Sequence, residues 1–357
     1  MTVSQKDVAR FLEEYDLDDL TIATLCSHTS LQIFHGARLE GFRTLGIGLR
    51  GRLRFYDAFP KGKPDEFMEV DSYSEVEDLA DELREHNAII VPHGSFVQYV
   101  GAERFLDLAV PTFGNRRVLQ WESDRDMERR WLESAGITMP KEYHHIDEVD
   151  RPVIVKFGGA RGGRGFFVAK DAKELARRLS TEEKYTIQEF VLGTRFYLHY
   201  FYSPISTQGY ALSRGTLELL SIDRRIESNV DEIYKLGTPS EIESLGVPIT
   251  YVVTGNLPVV IRESLLPKVF SIGEAVVERS LELFGGVIGP FSLETVCTDT
   301  LDFVVFEISA RIVAGTNPFI TTSPYSDLIY ERMSTGRRIA REIRLARDSG
   351  RLLEVLS

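Results

Sequence analysis

A glycine-rich segment lies between two apolar runs near the middle of the chain. The stretch VIVKFGGARGGRGFFVA, residues 153–169, carries five glycines with Arg161 and Arg164 among them. Glycine amides can approach phosphate oxygens closely, and Lys156 on the preceding run can reach the same anion as a point charge. The segment is not a P-loop, because G-x-x-x-x-G-K-[ST] is missing and a predicted strand follows. We predict a mobile phosphate-binding loop; a hairpin that merely turns is the alternative.

Two carboxylates, Glu294 and Glu307, stand on neighbouring predicted strands, and the sequence CTDT between those strands is a turn signal. A hairpin turning near Thr300–Leu301 would set the two side chains opposite each other, with Cβ atoms about 5 Å apart. Such a pair repels unless a cation lies between its members, and Mg²⁺ takes one or two carboxylates plus phosphate oxygens. A structural salt bridge to Arg311 or Arg262 explains the same residues equally well.

Some polar residues have roles that the pattern leaves open. Asn317, ten residues after Glu307 in ARIVAGTN, offers one more oxygen ligand for a cation. Arg262 in VIRESLLP suits an anion clamp, although a surface charge cluster with Glu263 explains it as well. His144 and His145 point in different directions as sequence neighbours, so we predict an exposed pair and not a metal site.

Two polar loops follow apolar runs in the first hundred residues. TIATL (21–25) opens into CSHTS with His28, and AIIVP (88–92) opens into HGSF with Ser95. The segments between them predict a βαβ unit, in which ligands bind outside the carboxyl ends of the strands. We therefore expect the two loops to face a common crevice. A histidine that only caps the next helix is the alternative for His28.

The remaining pattern supplies the elements that position these residues. Helical spacing predicts helices at 31–41, 75–86, 114–137, 267–284 and 337–349, the last on the surface. Apolar runs predict strands at 21–25, 42–49, 88–92, 152–158, 165–169, 185–191, 196–203, 291–297 and 302–309. An α/β domain, a small β-rich part and a mixed C-terminal part follow from this order.

Composition excludes several classes of protein. The chain has 357 residues and a net charge of −12, which disfavours nucleic acids and acidic membranes as partners. Its two cysteines give no disulfide framework. The first residues lack the apolar core of a signal peptide and no apolar run reaches 18 residues, so we expect a cytoplasmic protein. A homo-oligomer is the default expectation for a metabolic enzyme.

The chain resembles the ATP-grasp superfamily over about residues 112–345. The resemblance lies in the order of Lys156, the glycine-rich segment, and the set of Glu294, Glu307 and Asn317. The resemblance implies an α/β (α+β) ATP-grasp fold with a Rossmann-like N-terminal domain. It implies that ATP lies between two subdomains, with its adenine and ribose against QEFV (188–191). The implied divisions are 1–113 for ribonucleotide binding, 114–204 for the linker helix and lid, and 205–357 for the metal-binding subdomain.

A closer resemblance spans nearly the whole chain. The motifs TIATLCSHTSLQIFHGARLEGF, VPHGSF, FGNRR, KFGGARGGRG, TGNLPVVIRESLLP and GTNPF are similar to those of the archaeal formate-dependent ligases of purine biosynthesis, the 5-formaminoimidazole-4-carboxamide ribonucleotide synthetases. The resemblance implies that formate is joined to the 5-amine of aminoimidazole carboxamide ribonucleotide (AICAR), with ATP giving ADP and phosphate by way of formyl phosphate. Another ATP-grasp ligase, or an idle nucleotide-binding paralogue, stays open.

The resemblance also implies site residues. Lys156 and Arg311 would neutralise the charge of phosphoryl transfer. The implied AICAR ligands are His28, Ser95, Asn256 and Arg262; the implied ATP ligands are Lys156, Gly159, Arg161, Gly162, Gly163, Gln188, Glu189, Val191 and Glu227; and the implied ligands of Mg²⁺ (or Mn²⁺) are Glu294, Glu307 and Asn317. No Ser–His–Asp or Cys–His signature is present, which agrees with a reaction without a covalent enzyme intermediate.

Overall fold

Three sheets organise the part of the chain that the computed structural model describes, namely residues 2–157, 166–179, 185–230, 250–313 and 324–357. The predicted glycine-rich loop, with Gly159, Arg161, Gly162 and Gly163, lies outside the described residues, and so does Asn317.

The first sheet confirms the predicted parallel α/β domain. Its strands run parallel in the order β3–β2–β1–β4, with β1 Thr21–Leu25, β2 Arg43–Leu49, β3 Glu66–Val70 and β4 Ala88–Ile90. The helices around it are α1 Gln5–Glu13, α2 Ser30–Leu39, α3 Ala80–Glu85 and α4 Ala102–Asp107. The helix predicted at 75–86 is in fact a 3₁₀ turn, Tyr73–Glu77, followed by α3.

Two short helices lead into the second sheet. The single helix predicted at 114–137 is wrong, because Asp124 interrupts it between α5, Val118–Ser123, and α6, Arg125–Ser134. Asp124 has extended backbone and its Oδ1 accepts from the Asp126 and Met127 amides, both at 2.9 Å, so it is the N-cap of α6. The second sheet is antiparallel in the order β5–β8–β6–β7, with β5 Glu142–Tyr143, β6 Val153–Phe157, β7 Phe166–Ala169 and β8 Tyr185–Glu189, beside α7 Ala172–Arg178.

The third sheet is the largest described. It follows the order β10–β11–β9–β13–β14, and β12 pairs with β11; the strands are β9 Thr194–Ser203, β10 Tyr210–Ala211, β11 Thr216–Asn229, β12 Tyr251–Pro258, β13 Gly289–Cys297 and β14 Phe303–Ser309. The helices that follow β12 are α8 Leu266–Phe284, α9 Pro324–Asp327 and α10 Thr335–Asp348. The change of sheet falls between β8 and β9, before the division expected at residue 204, and the three-part division itself stays a prediction.

Helix α10 joins the first sheet's layer to the third. The prediction of a surface helix is wrong for one face, since Ile339, Ile343 and Ala346 are buried. Gly336 of α10 lies against α2 so closely that a Cβ there would be 2.3 Å from the Gln32 carbonyl oxygen. The helix therefore ties the two layers together. Among the described residues no helix is long and apolar enough to cross a membrane.

Candidate active site

A cleft of about 470 Å³ opens between the second and third sheets. One wall comes from β6, β7 and the end of β8, and the other from β9, β11, β13 and β14. Its lining combines apolar side chains with charged groups: Ile154, Phe166, Val296 and Phe306 on the one hand, and Lys156, Arg195, Arg225, Glu227, Glu294 and Glu307 on the other. The cleft thus offers an apolar slot next to a highly charged region.

The apolar end of the cleft runs beside QEFV (188–191), as the resemblance implied for adenine. All four of these residues line the cleft. Gln188 donates to Glu142 Oε1 at 2.7 Å, and Glu189 accepts from Arg151 Nη1 at 3.0 Å. These contacts hold the end of β8 in place, so its backbone and the apolar slot together can accept a flat heterocycle.

Glu227 lies further along the same cleft, on β11. It accepts from Arg195 Nη1 at 3.3 Å, and its side chain is 12% exposed. The structure therefore places this predicted nucleotide ligand in the cleft together with an arginine.

Lys156 stands at the charged end of the cleft. It lies near the end of β6, opposite Phe166 and Thr186 in the register of the sheet. Burial lowers the pKa of its ammonium group, while the charges of Glu307 and Glu128 oppose that shift. A partly desolvated cation in this position is suited to a phosphate oxygen.

The predicted pairing of Glu294 with Glu307 is confirmed, and a β-bulge makes it possible. Thr295 pairs with Val305 but Glu294 pairs with Glu307, so Phe306 is the extra residue on β14. In a regular strand without the bulge, alternation would place Glu307 on the face opposite to Val304. With it, Phe306 and Glu307 both line the cleft.

The two carboxylates repel each other, and the charges of Arg225, Arg311 and Arg195 offset that effect on Glu294 only in part. Glu294 is 7% exposed, and burial, followed by the charge of Glu307, raises the pKa of Glu294. It forms an ion pair with Arg225 Nη2 at 3.1 Å. No cluster of three or more metal-binding side chains occurs in the described ranges. Two adjacent carboxylates are nevertheless a donor set that fits Mg²⁺, which takes one or two carboxylates together with phosphate oxygens and water. The role of Asn317 lies outside the described residues.

Two carboxylates that the sequence analysis did not identify accept hydrogen bonds from backbone amides at and just after the end of β14, the strand that carries Glu307. Glu128 Oε1 accepts from the Ile308 amide at 2.7 Å, and Glu122 Oε2 accepts from the Ala310 amide at 2.9 Å. Burial and the charge of Glu307 raise the pKa of Glu128 to about 9. These glutamates come from α5 and α6, so the linker helices satisfy amides on the outer edge of β14.

Arg311 is anchored by the same linker. Its Nη2 lies 2.8 Å from Glu122 Oε1, and the two side chains are 15% and 8% exposed. Its Nε is buried without a hydrogen-bond partner among the described residues. The guanidinium is therefore held at the crevice between the first and third sheets, where it also lowers the pKa of His28.

The loops after β1 and β4 meet at that crevice, as predicted. The His28 and His93 rings stack with centroids 5.2 Å apart, and Ser95 Oγ donates to Ser27 Oγ at 3.0 Å. His28 is exposed to the crevice and has a left-handed backbone with φ 55°. Desolvation by the surrounding protein lowers the pKa of the His28 imidazole, and the charges of His93, Arg311 and Arg225 lower it further. The ring is therefore neutral, and it can accept a hydrogen bond as well as donate one.

His93 connects the two loops at the crevice through hydrogen bonds of its ring. The ring is fully buried; its Nε2–H donates to the Leu25 carbonyl at 3.0 Å, and its Nδ1 accepts from the Ser95 amide at 3.2 Å. Burial lowers its pKa to about 4. His93 thus ties the end of β1 to the loop after β4 as a neutral imidazole.

The third sheet presents a polar face to this region. Asn256 on β12 is half-buried and donates to Asp223 Oδ2 at 3.0 Å. Asn256 is the cross-strand partner of Arg225, which contacts Glu294. Arg262 is exposed and does not line the cleft.

Comparisons with known proteins agree over the whole chain. A family model described as "Domain of unknown function (DUF1297)" matches residues 169–357, and one described as "Protein of unknown function (DUF1246)" matches residues 22–143. A protein from Methanothrix thermoacetophila named 5-formaminoimidazole-4-carboxamide-1-(beta)-D-ribofuranosyl 5'-monophosphate synthetase is 61% identical, covering 99% of this chain and 100% of its own. One of the same name from Ignicoccus hospitalis is 50% identical, covering 98% and 99%.

Solved structures show the same fold. The IMP biosynthesis protein PurP from Thermococcus kodakaraensis superimposes with a TM-score of 0.73 at 33% identity, covering 94% of this chain and 100% of its own. An N5-carboxyaminoimidazole ribonucleotide synthetase in its ADP complex gives a TM-score of 0.63 at 14% identity, covering 90% and 76%, and indicates the fold alone.

The fold and the cleft define an ATP-dependent ligase with the α/β ATP-grasp fold. Within that class, the chain belongs to the family of 5-formaminoimidazole-4-carboxamide ribonucleotide synthetases.

Proposed function

We propose that the protein joins formate to the 5-amine of AICAR and converts ATP to ADP and phosphate. A formate oxygen attacks the γ-phosphorus of ATP, and ADP leaves. The amine nitrogen then attacks the carbonyl carbon of formyl phosphate, the carbon–oxygen bond to phosphate breaks, and the amine gives up a proton. The product is 5-formaminoimidazole-4-carboxamide ribonucleotide, an intermediate of purine biosynthesis.

The observation that carries this proposal is the position of the paired carboxylates between two binding regions. Glu294 and Glu307 face the ATP-sized cleft, and Arg225 connects them to the crevice lined by His28. An acyl phosphate made beside the carboxylates would therefore form within reach of an amine held in the crevice. This short transfer protects formyl phosphate from water.

The residues divide the work between the two regions. ATP binds in the cleft with adenine against residues 188–191 and its phosphates near Lys156, while Glu227 and the predicted glycine-rich loop hold the rest of the nucleotide. Glu294 and Glu307, with Asn317 as the predicted third ligand, hold Mg²⁺ or Mn²⁺. When bound there, the metal would supply positive charge that offsets the charge of phosphoryl transfer.

AICAR and formate occupy the crevice side. His28, Ser95 and Asn256 contact the ribonucleotide, and the Arg311 guanidinium faces formate and the acyl phosphate that forms from it. Arg262, which is exposed, belongs to the same proposal as a ribonucleotide ligand. The division at 1–113, 114–204 and 205–357, a cytoplasmic location and a homo-oligomeric state belong to the same proposal.

The first test is ADP release by the purified protein with Mg²⁺, ATP and AICAR, with and without formate. We expect ADP only when formate and AICAR are both present, in equal amount to the formylated product. With oxygen-18 in formate, one labelled oxygen should appear in inorganic phosphate, because a formate oxygen bridges carbon and phosphorus in formyl phosphate. ADP formation without label in phosphate would reject that route.

Glu307→Gln tests the metal assignment in the same assay. The change removes one carboxylate charge while keeping the shape, so we expect turnover to fall at least a hundredfold at saturating Mg²⁺, with the thermal midpoint of unfolding unchanged. Glu331→Gln, at an exposed position outside the cleft, is the matched control. Full activity of Glu307→Gln would remove the carboxylate pair from the mechanism. No turnover of the wild type would move the proposal to another carboxylate or amine.

A further inference from the structure

Asp223 places a charged group inside the third sheet. Its carboxylate is fully buried on β11. Oδ2 accepts two hydrogen bonds, from His199 Nε2–H at 2.7 Å and from Asn256 Nδ2–H at 3.0 Å. Oδ1 is buried and has no hydrogen-bond partner within the described part of the chain. Burying a carboxylate is costly unless it is well paired, so an apolar residue would stabilise this strand more.

The position of Asp223 relates it to the site and not to the core. Along β11 the next residue on the same face is Arg225, which pairs with Glu294 and stacks over the Tyr197 ring at 3.8 Å. On the neighbouring strand, Asp223 is opposite Tyr197, and Tyr197 is opposite Glu294. One row across the sheet therefore runs from Asp223 to the metal-binding pair.

The carboxylate fixes the orientation of the Asn256 amide. An ionised aspartate only accepts hydrogen bonds, so the amide must turn its NH₂ group towards Asp223. The carbonyl oxygen Oδ1 of Asn256 then points away from Asp223. In that orientation Asn256 offers an acceptor to a ligand, and a carboxylate or phosphate group there would be repelled.

We propose that Asp223, braced on its other side by His199, is a positioning residue that orients the Asn256 carbonyl to accept a hydrogen bond from a neutral N–H or O–H group of AICAR. This inference rests on the proposed function, in which Asn256 contacts the ribonucleotide. The donor is the 5-amine, the carboxamide NH₂ or a ribose hydroxyl. Asp223 itself does not touch the reacting atoms.

A purely structural role makes different predictions. If Asp223 only satisfied His199 inside the sheet, replacing it would lower the stability and weaken every ligand alike. If it orients Asn256, the loss should be confined to AICAR and should require Asn256. Binding of single ligands separates the two cases without any turnover.

The experiment is calorimetric titration with AICAR alone and with a non-hydrolysable ATP analogue plus Mg²⁺. The variants are Asp223→Asn, Asn256→Ala and the double variant. Asp223→Asn preserves the shape but lets residue 223 donate as well as accept, so the Asn256 amide loses its fixed orientation. We expect AICAR to bind at least tenfold more weakly to each single variant, no further weakening in the double variant, and ATP-analogue binding within twofold of the wild type.

His199 supplies a second pair of variants in case Asp223→Asn does not fold. His199→Gln can still donate to Asp223 and should keep AICAR affinity within a few-fold, whereas His199→Leu should weaken AICAR selectively. Unchanged AICAR binding in Asp223→Asn or His199→Leu, multiplied losses in the double variant, or equal losses for both ligands would overturn the inference. If the wild type did not bind AICAR at all, the proposed function would fail first.

Discussion

Glu122 holds the Arg311 guanidinium in its orientation within the described part of the chain. One carboxylate oxygen of Glu122 contacts the Arg311 guanidinium, and the other accepts a hydrogen bond from the Ala310 amide. Glu122 therefore fixes both the guanidinium and the backbone beside it. Both side chains are largely buried. Hydrogen bonds between ionised groups in such surroundings are stronger than neutral ones. The arginine is therefore held before any substrate arrives.

Glu122→Gln should separate these two contacts. The amide oxygen of glutamine can still accept from Ala310, but the charge that holds Arg311 is lost. We expect kcat/KM for formate to fall about ten- to a hundredfold, in line with about 1.5–3 kcal/mol for a hydrogen bond to a charged group. Steady-state kinetics with varied formate measures the effect.

Glu133→Gln is the control for that substitution. Glu133 lies on the neighbouring helix α6 and pairs with Arg129 at 2.7 Å, with its side chain 52% exposed. Its replacement should leave kcat/KM for formate unchanged. If the two variants behave alike, Glu122 does not position Arg311.

Sequence reasoning reached some site residues and missed others for a physical reason. Glu294 and Glu307 belong to one hairpin, so their proximity follows from local turn chemistry. Glu122 and Asp223 meet their partners only through tertiary packing; Glu122 and Ala310 are 188 positions apart. In the sequence Glu122 is one charge in a charged segment, and no spacing rule distinguishes it from Glu133.

At the scale of elements, His93 links β1 to the loop after β4. Its two hydrogen bonds require a neutral ring, one nitrogen donating and the other accepting. Protonation would remove the acceptor for the Ser95 amide and would place a charge in a fully buried position. The stability of the contact between β1 and the loop that carries Ser95 therefore depends on pH.

The stability of the protein should fall as the pH is lowered from about 6.5 to about 4. The His93 pKa is about 4 in the folded protein against an ordinary 6.5, so the unfolded chain takes up the proton first and acid favours unfolding. Above pH 6.5 the contribution is complete. The two values correspond to about 3 kcal/mol, to be measured by urea unfolding at a series of pH values.

His93→Gln should flatten that pH dependence, although it will also lower the stability at neutral pH. Other histidines with a lowered pKa, such as His28 and His35, leave part of the slope in place. His144→Gln, at an exposed position, should not alter the slope. If the slope of stability against pH were identical in the wild type and in His93→Gln, protonation of His93 would not contribute to the loss of stability in acid.

Element boundaries were predicted best where the chain is most regular. The strand Thr21–Leu25 has the predicted limits, and all five of its residues are buried. The helix predicted at 114–137 breaks because the Asp124 side chain competes for helix amides, an effect that periodicity does not report. The alternation of apolar and polar residues along β14 does not predict the bulge at Phe306, because the bulge depends on how β14 pairs with β13.

At the scale of the whole molecule, α10 fastens the first sheet's layer to the third sheet. Arg338 of α10 is fully buried and donates to Glu218 on β11 at 2.7 Å and to Glu342 at 2.8 Å. On the α2 side, Arg337 donates to Glu40 at 2.6 Å. The crevice that carries His28 lies between the two layers joined in this way.

Gly336→Ala should loosen this joint. The added methyl group would lie 2.3 Å from the backbone oxygen of Gln32, which cannot move without separating the helices. We expect a loss of about 1–3 kcal/mol in the free energy of unfolding, typical of overpacking. We also expect a larger increase of KM for AICAR than for ATP.

Gly255→Ala is the matched control, because among the described atoms a Cβ there would meet Ile226 Cδ1 at an ordinary 3.5 Å. Urea unfolding of the two variants side by side gives the comparison. Equal midpoints would show that α2 and α10 can separate without cost.

The contact between α2 and α10 also bears on how the chain folds. Gly336 donates its amide to Gln32 Oε1, a partner 304 positions earlier. During synthesis the face of α2 that packs against α10 must wait for nearly the whole chain, because α10 lies near the C-terminal end. Long-range contacts of this kind slow folding and leave apolar surface open to aggregation meanwhile. Because this contact needs both ends of the chain, we expect refolding from denaturant to regain AICAR binding later than it regains secondary structure.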